Sequence, residues 1–274
     1  MTRVAVVTGA TEGIGKQTAI ELLKRGLFVV VHGRSEARAR DAAGEIAEAA
    51  GSKDVGTAVA DFASLTEARA MGAAIAKAHP RVDVLLNNAG VFPKKRVVTE
   101  DGFELTLAVN HFAHFVLTHA LLGALKESDQ GRVVNVASGV HAGGHVDLED
   151  FAMEKDWSGH DAYANSKLMN VLFSNELARR LQNTNITSNA LHPGVIATKL
   201  LHNGWGSGGA KVSSGAKTTV KVATDPALAK VTGAYFSDER QVPASARARD
   251  TKLARALYEK SCEVTHTDPL PEPA

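Results

Sequence analysis

The chain has 274 residues, 44% of them apolar, which suits one large core and one domain. With 31 basic and 30 acidic residues the formal net charge is +1, so there is no broad positive field to attract nucleic acid or an anionic membrane surface. The single cysteine, Cys262, allows no internal disulfide; the first apolar run begins too early for a signal peptide; and no run approaches the roughly 18 uninterrupted apolar residues of a spanning helix. A cytoplasmic protein without an integral membrane segment is expected.

In chain order, β-branched runs at Val4 to Val7, Phe28 to Val31, Val55 to Ala60, Val82 to Leu86, Val133 to Val136 and Ile186 to Leu191 predict strands. Between and after them, Ala/Leu-rich stretches predict helices near 13–25, 36–50, 65–79, 101–126, 161–182 and 247–260. This alternation predicts an α/β fold, a single domain over 1–274 with a doubly wound parallel sheet and helices on both faces.

The first strand runs into Thr8-Gly9-Ala10-Thr11-Glu12-Gly13-Ile14-Gly15, a glycine-rich turn that opens a helix. Glycines let backbone approach a ligand closely, and a helix start offers unpaired N–H groups and a positive dipole end to phosphates. Glycine clusters also serve ordinary turns; the position after the first strand favours the ligand. At the second strand's end, His32-Gly33-Arg34 presents no carboxylate for a ribose 2′-OH and an arginine whose fork matches a 2′-phosphate. NADP(H) is therefore preferred and NAD(H) remains possible, with the carboxylate of Glu12 opposing the preference. Asp61-Phe62, after the third strand, is placed to contact adenine or to start a helix, and Asn87-Asn88-Ala89-Gly90 ends the fourth with small residues that leave room for a cofactor.

Further along, Lys94-Lys95-Arg96 reads as a solvated loop, with the alternative that it edges the pocket and favours an acidic substrate group. His111, His114 and His119 share a predicted helix, but no cysteine or carboxylate set completes a metal site, so none is expected; His141 and His145 are placed at the substrate pocket or its rim. The fifth strand ends at Ser138. Tyr163 and Lys167 stand at i and i+4 of a predicted helix, hence on one face. A tyrosine near its ordinary pKa is only about 0.1% phenolate at neutral pH, and a nearby cation favours the charged form. A shift of about two units is worth about 2.7 kcal/mol, within reach of one close charge, so Lys167 is expected to make Tyr163 a usable acid and base. The segment 201–215 is rich in glycine and serine and reads as a flexible substrate lid, with Trp205 either capping an apolar ligand or packing the lid's base. The proline-bearing tail 265–274 reads as frayed.

Taken together, Thr8-Gly9-x-x-x-Gly13-Ile14-Gly15, Asn87-Asn88-Ala89-Gly90, Asn110, Ser138, Tyr163-x-x-x-Lys167 and Pro193-Gly194 resemble the short-chain dehydrogenase/reductase family over about residues 3 to 260. Gly15-Lys16, His192-Pro193-Gly194 and Tyr235-Phe236-Ser237 look like its retinol-dehydrogenase-like branch. The resemblance implies a Rossmann fold and a tetrad of Asn110, Ser138, Tyr163 and Lys167. In that tetrad Ser138 binds the substrate oxygen, Tyr163 exchanges its proton, Lys167 holds the nicotinamide ribose, and Asn110 anchors a water leading to Lys167. It also implies that Val195 and Thr198, after Pro193-Gly194, contact the nicotinamide carboxamide.

The leading expectation is hydride transfer between NADP(H) and an apolar or aromatic aldehyde, ketone or alcohol. A catalytically silent NADP(H)-binding sensor or scaffold is the main rival, and a lyase or epimerase that uses its cofactor transiently is a third. Monomer and homodimer stay open, with a tetramer possible, because a partner or the C-terminal helix could cover the helices 101–126 and 161–182.

Overall fold

Residues 2–273 are described by a computed structural model. Strands β1 (Val4–Val7), β2 (Phe28–Gly33), β3 (Val55–Val59), β4 (Val84–Asn87), β5 (Gly131–Val136), β6 (Ile186–His192) and β7 (Tyr235–Ser237) are parallel, and β8 (Arg240–Val242) adds an antiparallel edge. Their order is β3-β2-β1-β4-β5-β6-β7-β8. The chain reverses its winding between β1 and β4, so the loops leaving these two strands turn to opposite faces and open a crevice at their carboxyl ends.

The central strands are mostly apolar because both faces are covered. On one face Val6, Val30, Leu85 and Val133 join the core formed with α3 (Leu65–Ala78), α5 (Ala113–Lys126), α6 (Gly159–Arg180) and α9 (Thr251–Val264). On the other, Ala5, Val7, Val29, Val31 and Val134 pack against α1 (Gly13–Lys24), α2 (Glu36–Ala50) and α8 (Val212–Thr224). The period-2 alternation of strand side chains makes this division. Phe112, Phe115 and Phe173 are fully enclosed, each contributing about 1.5–3 kcal/mol by burial. Serine hydroxyls cap α2, α3 and α6 at Ser35, Ser64 and Ser158, and Asp250 caps α9.

Most expected elements fall within a few residues of their places, but the second half of the chain differs. The helix expected from 101 starts as a single turn, α4 (Leu105–Leu107), because the Glu104 side chain accepts from the N–H groups of Thr106 and Leu107. It then passes through a π-turn, Ala108–Phe112, into α5. Helix α8 is absent from the expected elements although its 13 residues are amphipathic, and β7 and β8, three residues each, are too short to carry a pattern. Leu105–Lys126 is long and apolar enough by composition to cross a membrane, yet 83% of its most apolar stretch is buried inside the fold, the setting of a core helix.

Two segments depart from their sequence readings. Within 201–215, α7 (Lys199–Trp205) and the first turn of α8 are helical, and the irregular part narrows to a turn where Gly206, Gly208 and Gly209 all have positive φ. Among its described residues the tail has no helix or strand, yet it is tied to the body by hydrogen bonds and ion pairs. Arg180 donates to the Leu270 carbonyl and pairs with Glu272, Arg69 donates to the Thr265 carbonyl, and Tyr258 accepts from the Leu270 N–H. Prolines stop periodic structure; they do not prevent docking.

Candidate active site

The carboxyl ends of β1, β2, β4, β5 and β6 meet in one cleft of about 1220 Å³. Its floor is the β1–α1 turn. Gly9 and Gly13 have φ of +63° and +59°, and a Cβ on Gly9 would fall 2.7 Å from Cα of Ala89. One on Gly15 would meet the Gly9 carbonyl at 2.4 Å. The glycines are thus required by the turn's closeness to the β4 end. Thr8 holds the two together: its hydroxyl accepts from the N–H groups of Asn88 at 2.8 Å and Ala89 at 3.0 Å, and its carbonyl accepts from the Asn88 amide at 2.8 Å. Helix α1 begins with no side-chain cap, so its first turn faces the cleft with unpaired N–H groups.

Arg34 lines the cleft from the β2 end, joined by Arg38, one turn into α2. Sequence reasoning missed Arg38, although its i, i+4 spacing from Arg34 was a readable signal. Glu12 lies 3.9 Å from Arg38, so the acid in the turn partly neutralises that arginine. Asp61 and Phe62 reach the cleft wall, but Asp61 accepts from the Ala63 N–H and the Phe62 ring is only 2% exposed, stacked on His32. Phe62 therefore builds the wall with its ring packed on His32. Opposite the turn, Pro193, Gly194, Val195 and Thr198 form the other lip. A Cβ on Gly13 would touch the Thr198 methyl at 3.4 Å, so this lip overhangs the helix start.

Ser138, Tyr163 and Lys167 line the same cleft from β5 and α6. Lys167 Nζ lies 5.3 Å from the centre of the Tyr163 ring and donates to the Val136 carbonyl at 2.9 Å. Both side chains are nearly sealed. Desolvation pushes the Lys167 ammonium down to about 8 and raises Tyr163 above the usual phenol range. Burial disfavours the charged form of both groups, so a cation beside the Tyr163 phenol works against its desolvation. Ser138 is fixed through its carbonyl, which accepts from His141 Nδ1–H at 2.7 Å, while His141 Nε2 accepts from the Ser245 N–H. His141 is therefore a brace behind the site, and His145 lies at a separate small surface pocket. Neither lines the cleft.

Asn110 sits inside the π-turn, fully buried. Its side-chain oxygen accepts from the Val91 N–H at 2.8 Å, and its amide donates to the Val91 carbonyl and to Ser166 Oγ. Its main-chain carbonyl accepts from His114 Nδ1–H. Through these contacts Asn110 ties the loop after β4 to α6. Apolar walls beyond Tyr163 come from Phe92, Val97, Leu105, Val109, Leu200 and Trp205. The Trp205 ring stands 5.5 Å from the Tyr163 ring and 5.1 Å from Phe92, which places it on the ligand side. Lys94 and Lys95 are exposed next to this wall, and Arg96 donates to the Ala152 carbonyl. Among the described residues no group of three or more His, Cys, Asp or Glu could hold a metal ion.

An open parallel sheet with an uncapped, glycine-lined helix start at its switch point defines a dinucleotide-binding α/β protein. The chain belongs to the short chain dehydrogenase family, whose model matches residues 3–205. It is 39% identical to retinol dehydrogenase 14 of Mus musculus, over 94% of this chain and 84% of that relative. Retinol dehydrogenase 12 of Bos taurus is also 39% identical, over 96% of this chain and 86% of that protein. Among solved structures, an uncharacterized protein from Mycobacterium paratuberculosis superposes with a TM-score of 0.83 at 32% identity, covering 98% of this chain and 95% of the other. The chain is thus an oxidoreductase acting on CH–OH groups, of the retinol-dehydrogenase-like kind, and its cofactor is a nicotinamide dinucleotide.

Proposed function

We propose that this oxidoreductase prefers NADP(H) and acts on an apolar aldehyde, ketone or alcohol, with Tyr163 exchanging the substrate proton. The observation that carries the reading is the placing of a buried Tyr163–Lys167 pair and Ser138 in one cleft with the uncapped glycine turn. The cofactor supplies or removes the hydride. This chain's residues do the rest: the turn and the first turn of α1 would hold the pyrophosphate, and Arg34 and Arg38 the 2′-phosphate. Ser138 would donate to the substrate oxygen, and Tyr163 would give or take its proton. A positive charge brought next to Tyr163 would offset its desolvation, which is the condition for phenolate to form. Lys167 carries out the positioning and charge-balancing part of that task from its seat on the Val136 carbonyl.

The apolar wall of Phe92, Leu105, Val109 and Trp205 supports a hydrophobic substrate, and the names of the relatives favour a long unsaturated alcohol or aldehyde. Burial of α6 beneath α9 and the docked tail supports a monomer, since the chain itself covers that helix.

The test is consumption of NADPH with a panel of aldehydes, retinal included, for wild type and Tyr163→Phe. Loss of a general acid costs typically 10²–10⁴-fold, so kcat should fall by about that factor while NADPH affinity stays within a few-fold. Binding without turnover in the wild type would reject the reading.

A further inference from the structure

Three elements beneath the glycine turn meet on a pair of buried histidines that the proposed chemistry does not use. His32, at the end of β2, is 2% exposed. Its Nδ1 accepts from the Gly9 N–H at 3.1 Å, and its Nε2–H donates to the Ala60 carbonyl at 3.0 Å. Both ring nitrogens are therefore committed, and only the neutral tautomer with the proton on Nε2 satisfies them. Phe62 stacks on this ring at 4.2 Å and meets His114 edge-on at 5.5 Å. His114 Nε2 is 3.1 Å from the Thr8 hydroxyl. The turn's first two residues, Thr8 and Gly9, thus each rest on a histidine, with Phe62 as the spacer.

We propose that neutral His32 is a positioning residue for the dinucleotide site, so that its protonation releases Gly9 and weakens cofactor binding without changing turnover at saturating cofactor. The inference rests on the reading of the glycine turn as the pyrophosphate site. With a proton on Nδ1, two N–H groups would face each other across 3.1 Å, and Gly9 could not keep the left-handed conformation that brings it against Ala89. A cation at this depth also attracts an anionic ligand, but that attraction acts on a turn no longer shaped to receive it.

The groups around His32 agree with a neutral ring that can be titrated. Burial lowers its pKa, opposed by the Ala60 bond and by Asp61 from the β3 end. His114, on the far side of Phe62, is pushed down to about 3 by burial and by Lys167. On its own strand end, Arg34 lies two residues on. Because the folded pKa is below the usual histidine value, the contact is intact at neutral pH and is lost only as the pH falls through that lowered value.

Asparagine at this position keeps an acceptor for the Gly9 N–H near Nδ1 and does not titrate. The experiment measures the affinity of NADH and NADPH between pH 7.5 and 5 for wild type, His32→Asn and His32→Leu, with kcat at saturating cofactor. NADH carries no 2′-phosphate, so a loss shared by both cofactors is not the ligand's own titration. The expected result is wild-type affinity falling as the pH is lowered, His32→Asn flat over the same range, and His32→Leu at least tenfold weaker at every pH with kcat preserved. If His32→Leu does not fold, the wild-type and His32→Asn comparison still decides. Equal pH profiles for those two, or tighter wild-type binding in acid, would overturn the proposal. Absence of dinucleotide binding in the wild type at pH 7.5 would instead reject the pyrophosphate reading beneath it.

Discussion

At the residue scale, the proposed preference for NADP(H) rests on three charges at one end of the cleft. Arg34 has no acidic competitor along its strand, but Arg38 has Glu12 at 3.9 Å. Both members of that pair are more than 40% exposed, so the pair is worth no more than about 0.2–1 kcal/mol. Glu12→Gln should therefore tighten NADPH binding by up to about fivefold and leave NADH unchanged. Arg38→Ala should weaken NADPH about as much or more, again without moving NADH. The ratio of the two dissociation constants, measured by fluorescence titration, checks both. An unchanged ratio in both variants would remove Arg38 from the phosphate site. Sequence reasoning placed Arg34 and flagged Glu12 as an opponent, but the partner that Glu12 neutralises became visible only when α2 was folded back over the turn.

At the element scale, α7 is the part of the cleft least held by the fold. None of its seven residues is buried, and it ends at Gly206 in a run of positive-φ glycines. Thr198 caps its start, and His160 on α6 contacts the Gly204 carbonyl near its end. Movement of this helix costs little core, and the proposed lid role has Trp205 closing over a bound ligand. Trp205→Ala should raise KM for aromatic and long apolar aldehydes about tenfold while changing KM for acetaldehyde-sized substrates less than twofold. Steady-state kinetics on the two groups gives the answer, and parallel changes would assign Trp205 a packing role. The π-turn is the opposite kind of element. It is fully buried and frees the Asn110 carbonyl for His114 while its side chain holds Val91. A helical pattern from 101 to 126 was legible in the sequence, whereas one extra residue in a turn leaves no periodic trace.

At the scale of the whole molecule, the fold stores several neutral histidines in its interior. Burial pushes His111 and His119 down to about 4 and His114 to about 3. The unfolded chain binds protons on these groups from about pH 6.5 downward while the folded one does not, so stability is lost as the pH falls from that value toward the folded pKa values. Three such groups remove about 4 kcal/mol between pH 7.5 and 5.5. The buried carboxyl of Glu104, whose pKa is raised by desolvation, opposes them as a single group. Urea unfolding at the two pH values should show a loss of that order, and equal stability would mean that these histidines are hydrated or charged in the folded protein.

Local chemistry determined much of this protein from the sequence alone. Continuous β-branched runs specified a two-sided parallel sheet, glycines at 9, 13 and 15 marked a backbone approach, and Tyr163 with Lys167 had to share a helix face whatever surrounded it. The tertiary structure decided what depends on neighbours distant in the chain. Desolvation set the Tyr163 and Lys167 pKa values, and the roles of Asn110, His141 and Phe62 followed from partners 3 to 104 residues away. The buried polar ladder of Asn87, Asn135 and Ser188 across three strands also escaped a reading by hydrophobicity, because these side chains meet only once the strands are paired. Burial and hydrogen-bond partnership are properties of the assembled fold, and a residue's type and spacing do not contain them.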